Sequence, residues 1–464
     1  MELPPKLRIN AWTGEGLAAS DVSITTQEWA LNEEPLKVPK YLAVPTAANP
    51  ANWKDERVGW GLVLPERTGL SKEQLASGTD APEPIQRLLR ERGNAPLFRY
   101  IPGWANRFTH LRNYRAGKDL SIAFSPEGIA PAALPKYLLI YGTPSEIPWD
   151  FQYALNAGRR CVGRLALQGD ALENYVSRLL DDWRDSAAQI DQAVAWAVDH
   201  GADDITHLMR NFIAAKIYKQ WVQDDTLRDK ALFFDGESPR ATASDLIGAL
   251  ARRKPSLIVT TSHGQTGPLN DQETMKARLG LPIDQNYQAL DPQQVLDKWE
   301  PDGAIWYAHA CCAAGSASET LFAGLVDEGS GIDRVLKAVA GLGSLIAPLP
   351  HALLSAKKPL RAFIGHVEPT FDWSISHPST GQPLTSNLQK ALYDHIYSSK
   401  PVGLSFREFY AAMADLYAEH DHSRRAYRKG EDMLKVILYL ELASRDIQST
   451  VILGDPTAVL PLLP

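Results

Sequence analysis

The chain is expected to fold as an α/β protein, a three-layer sandwich around a largely parallel sheet, preceded by an N-terminal accessory region. Three observations carry this expectation. From Lys136 onward, short β-rich apolar runs alternate with segments of helical period. Several runs, such as "SLIVTTS" (256–262) and "AIWYAHA" (304–310), are apolar throughout, which is the pattern of strands covered on both faces. The texture also changes near residue 130. Residues 1–130 are rich in Pro, Trp and Gly, with short apolar pieces such as "KYLAVP" (40–45), "GWGLVLP" (59–65) and "GNAPLFRYIPGW" (93–104). The expected division is therefore an accessory region of short strands and loops over 1–130, a first α/β unit over 131–255, and a second over 256–464.

Taken in order, "KYLLIYG" (136–142) and "RCVGRLAL" (160–167) predict strands. Apolar residues at helical spacing predict helices over 171–200 and 206–223. "KALFF" (230–234) reads as a short strand, "ASDLIGALARR" (243–253) as a helix, and "SLIVTTS" as a buried strand. The strand "AIWYAHA" is followed by an expected helix over 317–329, then "GIDRVLKAVAGLG" (331–343), "SLIAPLP" (344–350) and "LRAFIGHVE" (360–368). Residues 384–448 read as mostly helical, and "TVILGDPTAVLPLLP" closes the chain as a last strand.

Composition narrows the function classes. With 464 residues, 44% hydrophobic and 22% charged, the chain has the profile of an ordinary globular protein of more than one core. A net charge of −7 gives no global positive field for nucleic acid or anionic membrane. The basic clusters at 251–255 and 424–430 are short and read as solvated helix ends. No stretch approaches the length of a membrane span, and "MELPPKLRIN" has no apolar signal core, so neither membrane nor secretion is expected. Three cysteines, Cys161, Cys311 and Cys312, make no disulfide framework. A reducing cytoplasm is the expected setting, where thiols remain available for chemistry.

The chemistry is expected at two strand ends. "LIVTTSHGQTGPLN" (257–270) stops at His263-Gly264, and "AIWYAHACCAAGS" (304–316) stops at Cys311-Cys312. Ligands in open α/β sheets bind beyond the carboxyl ends of the strands. The separation, 311 − 263 = 48 residues, leaves room for a loop and a crossover before a neighbouring strand. The fold would thus bring an imidazole and a thiol to one rim. A cysteine nucleophile needs a base to raise its thiolate fraction, and His263 can supply it and later protonate a leaving amine. Gly264, lacking a side chain, lets its N–H approach a substrate carbonyl and form an oxyanion hole with the N–H of the cysteine.

A hydrophobic strand ending in His-Gly, followed by one ending in Ala-Cys, resembles the caspase-like cysteine peptidases, a group that includes caspases, gingipains and the bacterial CHAT proteases. The His-to-Cys spacing matches that family's interval of about 50 residues. "YLLIYGTPSEIP", "VGRL" (162–165) and "VILGDPTAVL" (451–460) resemble segments on the gingipain and CHAT side, so the likeness spans roughly 136–464. It implies a caspase-like fold, with 131–255 and 256–464 as two catalytic subdomains, and a cytoplasmic endopeptidase acting through a thioester in bacterial signalling or defence. It also implies a protein substrate and leaves room for an activating protein partner. Two departures stand out: gingipains are secreted, and the cysteine is doubled. Cys311 is favoured as nucleophile because of the preceding Ala310, with Cys312 as the alternative; on a strand the two thiols would face opposite ways. Within "FFDGESPRATASDLIGAL" (233–250), family spacing lands on Arg240 as the charge at the base of the specificity pocket. A guanidinium there would grip a carboxylate and select Asp or Glu before the scissile bond. Asp245 is the rival and would select Arg or Lys, although beside Ser244 it also reads as a helix cap. Asp235 or Glu237 would orient His263.

Competing readings are weaker. A lone strand-end cysteine is more often an inert core residue. "HACC" lacks the second ligand pair of a zinc site, so no metal is expected. "GLGSLI" lacks a dinucleotide fingerprint and no phosphate loop exists, so no cofactor is expected. His309, His351 and His366 read as packing or capping residues. The alternative to an active enzyme is a latent or inactive caspase-like signalling or scaffold module, since fold alone does not prove function.

Overall fold

The structure is a computed structural model that describes residues 5–29, 48–93, 95–102, 109–237 and 240–463. The run "KYLAVP" lies outside these residues. In chain order the strands are β1 (Lys6–Trp12), β2 (Leu17–Asp21), β3 (Trp60–Pro65), β4 (Leu97–Tyr100), β5 (His110–Asn113), β6 (Lys118–Ser121), β7 (Tyr137–Tyr141), β8 (Cys161–Leu165), β9 (Gln189–Ala197) and β10 (Ala231–Phe234). Then follow β11 (Pro255–Thr261), β12 (Gly264–Gln265), β13 (Ile305–His309), β14 (Gly315–Ser316), β15 (Leu345–Ile346), β16 (Ala362–His366) and β17 (Thr450–Gly454). Twelve of them form one sheet in the order β10-β9-β11-β13-β16-β17-β8-β7-β3-β4-β5-β6. This is the α/β class expected, with a large, mostly parallel sheet flanked by helices.

The sheet consists of two parallel blocks. β10, β9, β11, β13 and β16 run one way, and β17, β8, β7, β3 and β4 run the other, so the seam is the antiparallel pair β16–β17. Parallel strands covered on both faces should be apolar throughout, and β11 and β13 are buried at every position. Within the second block, next to the seam, the "VGRL" and "LGDP" segments pack backbone to backbone. A Cβ at Gly163 would lie 2.1 Å from the Gly454 carbonyl oxygen, so only glycine permits that approach. Asp455 then ties the end of β17 to β3 within this block: it accepts from Trp60 Nε1 at 3.1 Å and pairs with Arg92 at 3.3 Å.

The sheet does not break near residue 130. β3 to β6, from the expected accessory region, extend it beyond β7, whereas β1 and β2 form a separate three-stranded sheet with β12. The expected helix over 171–200 is corrected: the helix covers Gly169–Leu180, and β9 follows at Gln189–Ala197. Asp182, Trp183 and Asp185 adopt positive φ, which ends the helix, and the buried Trp183 anchors the turn through Nε1 to the Pro359 carbonyl at 3.2 Å. The "QAVAWA" run then supplies a central strand. Residues 317–329 form no helix either. Gly324 is left-handed, Thr320 and the Leu321 N–H are held by Glu368, and Phe322, Leu325 and Val326 are buried in loop conformation. "SLIAPLP" divides into the two-residue β15 and a helix, Pro348–Ser355.

Candidate active site

β11 and β13 are adjacent and parallel, with Thr261 opposite His309. His263 and Cys311 each lie two residues further on, so the register alone brings them to one level. The closest evidence is at Gly264. A Cβ there would lie 1.9 Å from the Cys311 carbonyl oxygen and 2.9 Å from its nitrogen. The glycine after the histidine is therefore required because the main chain of the cysteine passes directly over it.

His263 is fully buried, and its Nε2 lies 3.0 Å from Asp204 Oδ2. Its Nδ1 has no hydrogen-bond partner, which leaves one ring nitrogen free for proton transfer. Asp204 caps the helix beginning at Ile205, accepting from the Thr206 N–H at 2.8 Å and the Thr206 hydroxyl at 2.6 Å. Burial pushes this carboxyl up, but the hydrogen bonds from His263 and Thr206 and the His263 charge outweigh it and hold the group at about 2. Its ionised form therefore stabilises the fold above about pH 4, and that contribution is lost as pH falls towards 2. The expectation that Asp235 or Glu237 orients His263 is corrected. Both side chains lie near Arg210, at 3.6 and 3.7 Å, and the carboxylate at the imidazole is Asp204.

Cys311 and Cys312 lie in the turn after β13, so strand alternation does not govern them. Cys312 takes a left-handed φ of 56° and donates its N–H to the Glu368 carbonyl at 3.2 Å. Its thiol, pushed up by burial, has Cys311 and Glu368 as charge neighbours. The Cys311 sulfur accepts from the Thr370 N–H at 3.2 Å, with the Asn10 N–H also close to it. Burial pushes the Cys311 thiol up more strongly than these donors lower it. The rim pictured from sequence is thus covered, since Cys311, like His263, has no exposure.

What covers it is aromatic and N-terminal. Trp12 stacks near His263, with ring centroids 6.3 Å apart, and lies 4.6 Å from Tyr287, which stacks on His200 at 4.2 Å. His200 stacks in turn on His263 at 5.5 Å. His200, Asp204 and His263 place ligand-type atoms within 4.8 Å of one another, although Asp204 is already committed to His263. Arg240 is exposed in the loop before the helix Ala243–Arg253. Asp245 sits in the first turn of that helix: its N–H donates to the N-cap Thr242 at 3.1 Å, and its carboxylate accepts the Thr242 hydroxyl at 2.5 Å. The N-cap is therefore Thr242 rather than Asp245.

The segment supplying Thr370 is braced from behind. Ser374 donates its hydroxyl to buried Asp446, whose other oxygen has no hydrogen-bond partner. Burial, with some repulsion from Asp372, pushes the Asp446 carboxyl up to about 7. The unfolded chain releases this proton near pH 4 while the fold retains it, so stability falls as pH rises from about 4 to 7. Asp446→Asn should therefore match the wild type near pH 4 and be more stable at pH 8, by on the order of 2 kcal/mol. Urea titrations at both pH values check this.

The fold and the site together define an α/β protein with a histidine–aspartate pair set against a buried cysteine turn. No family model matches the chain, and no curated protein matches it. Among solved structures, one described as "Structure of Protease" is similar over 87% of this chain and 79% of that one, with 10% identity and a TM-score of 0.45. No helix among the described residues is long and apolar enough to cross a membrane.

Proposed function

We propose that the chain is a caspase-like cysteine endopeptidase in which Cys311 is the nucleophile, His263 the general base and acid, and Asp204 the residue that positions His263. The single observation that carries this reading is the contact of the Gly264 and Cys311 main chains beside an imidazole with one nitrogen on Asp204 and the other free. In the reaction, His263 Nδ1 takes the Cys311 proton and the thiolate attacks the peptide carbonyl. The N–H groups of Gly264 and Cys311 stabilise the oxyanion. The C–N bond then breaks, the amine leaves with the proton from His263, and water hydrolyses the thioester.

Arg240, exposed at the head of the helix Ala243–Arg253, is the proposed reader of an Asp or Glu before the scissile bond. The carboxylate of Asp245 is engaged by Thr242, which favours Arg240 over Asp245 as that determinant. The covered thiol favours a latent form of the enzyme over one standing open to substrate, and so an activating event or partner. A positional-scanning peptide library tests the reading. Cleavage after Asp or Glu that is lost in Arg240→Ala is expected, whereas cleavage after Arg or Lys retained in that variant would reassign the pocket.

A further inference from the structure

The first described residues of the chain lie on the active site. β1 pairs with β12 in parallel, Ala11 opposite Gly264 and Trp12 opposite Gln265. Along that same edge the Asn10 N–H donates to the Thr370 carbonyl at 3.0 Å and Ile9 forms an antiparallel bridge with Phe371, while β2 pairs with the opposite edge of β1. The two segments along this edge are the one that follows His263 and the one that donates to the Cys311 sulfur. A residue in a parallel ladder bonds to the neighbours of its partner. Since the Gln265 N–H goes to the Leu281 carbonyl and the Thr266 N–H to that of Trp12, the Ala11–Gly264 pair directs the Gly264 N–H at the carbonyl of Asn10. That N–H is the one assigned above to the oxyanion. The Asn10 side chain is buried and donates to the Ser262 carbonyl and the Met209 sulfur, and the Asn10 N–H lies close to the Cys311 sulfur.

We infer that the edge formed in succession by residues 370–371 and 264–265 lines a strand-binding groove for an extended polypeptide, and that β1 is its built-in occupant, lying as substrate lies with Asn10 at the position attacked. The identification of the groove with a substrate cleft rests on the peptidase reading; the covering of Cys311 by β1 does not. β1 is held by backbone pairing, by burial of Leu7, Ile9 and Ala11, and at its edge by Arg8, which bonds to the Asp203 carbonyl and lies 3.9 Å from Asp372. Its hairpin partner β2 leads to Ser23, whose hydroxyl donates to Asp327 at 3.0 Å. Substrate can enter only when this hairpin lifts.

Alkylation of the folded full chain by iodoacetamide, mapped by peptide mass, tests this. Cys161 and Cys312, both buried, serve as internal standards for general unfolding. Arg8→Glu sets a negative charge against Asp372 and the Asp203–Asp204 segment and should free the hairpin, raising the Cys311 rate at least about tenfold while Cys161 and Cys312 stay unmodified. Adding Ser23→Cys and Asp327→Cys to Arg8→Glu and oxidising the pair should cancel that gain, and reduction should restore it. Equal Cys311 rates in wild type and Arg8→Glu, an oxidised lock that leaves the rate unchanged, or parallel modification of Cys161 and Cys312 would each overturn the inference. Peptide turnover measured on the same samples separates the two claims. If Cys311 opens as described but no variant hydrolyses peptide, β1 is still the cover and the peptidase assignment fails.

Discussion

Cys311→Ala is expected to reduce peptide hydrolysis by about 10⁴-fold or more, since without the sulfur no thioester forms and only binding and the oxyanion donors remain. The fold should survive. The substitution removes one small buried atom and leaves the Thr370 N–H without its acceptor, a cost of about 1–2 kcal/mol. Cys312→Ala gives the contrast. Its thiol belongs to the Glu368 side of the turn, so this variant should keep its turnover. Fluorogenic peptide assays of both variants, beside thermal melts, check the pair. If the losses were reversed, the nucleophile would be Cys312.

Gly264→Ala is expected to be the most damaging single substitution at the site. A methyl group 1.9 Å from the Cys311 carbonyl oxygen cannot be accommodated, and what it meets is main chain rather than a flexible side chain. Either His263-Gly264 or the Cys311 turn must move by more than an ångström, which breaks the oxyanion geometry and the β1–β12 pairing together. Turnover should fall by at least about 10²–10³-fold. Stability should fall by about 3 kcal/mol or more, the cost of overpacking against a rigid wall. Near-normal kinetics with an unchanged melting temperature would contradict both the close approach and the role of the glycine.

His263 needs different handling. The rim position expected from sequence implied that His263→Ala would spare the fold. With the side chain fully buried on Asp204, removing it strands an ionised carboxylate, so the fold is affected as well as turnover.

The strands that place the site were legible because they are buried on both faces, and an uninterrupted apolar run has few other readings. β11, β13, β16 and β17 fell where such runs were seen, with the His and Cys motifs just past their ends. β9 was not legible, because alanines and valines either side of a tryptophan fit a helical period as well as a central strand, and the turn separating it from the preceding helix is made by Asp and Trp at positive φ rather than by Gly or Pro. Asp204 was hidden for another reason. In "GADDITHL" it has every feature of a helix cap, and it is one; its second oxygen reaches a histidine 59 residues away, which no local pattern encodes. β1 looked like part of an accessory region because "KLRINAW" carries no chemical motif. Its importance comes from where the fold places an ordinary apolar strand.

The central claim is that Cys311 is a nucleophile driven by His263 and Asp204. The most direct measurement is trapping with a peptidyl acyloxymethyl ketone, which loses its carboxylate only on attack by an activated thiolate, followed by mass mapping of the adduct in wild type, Arg8→Glu and Arg8→Glu/Asp204→Asn. A single adduct on Cys311 is expected, slow in wild type, fast in Arg8→Glu and strongly slowed again when Asp204 is also replaced. Folded protein carrying no adduct, an adduct on Cys312, or a rate indifferent to Asp204 would contradict the assignment.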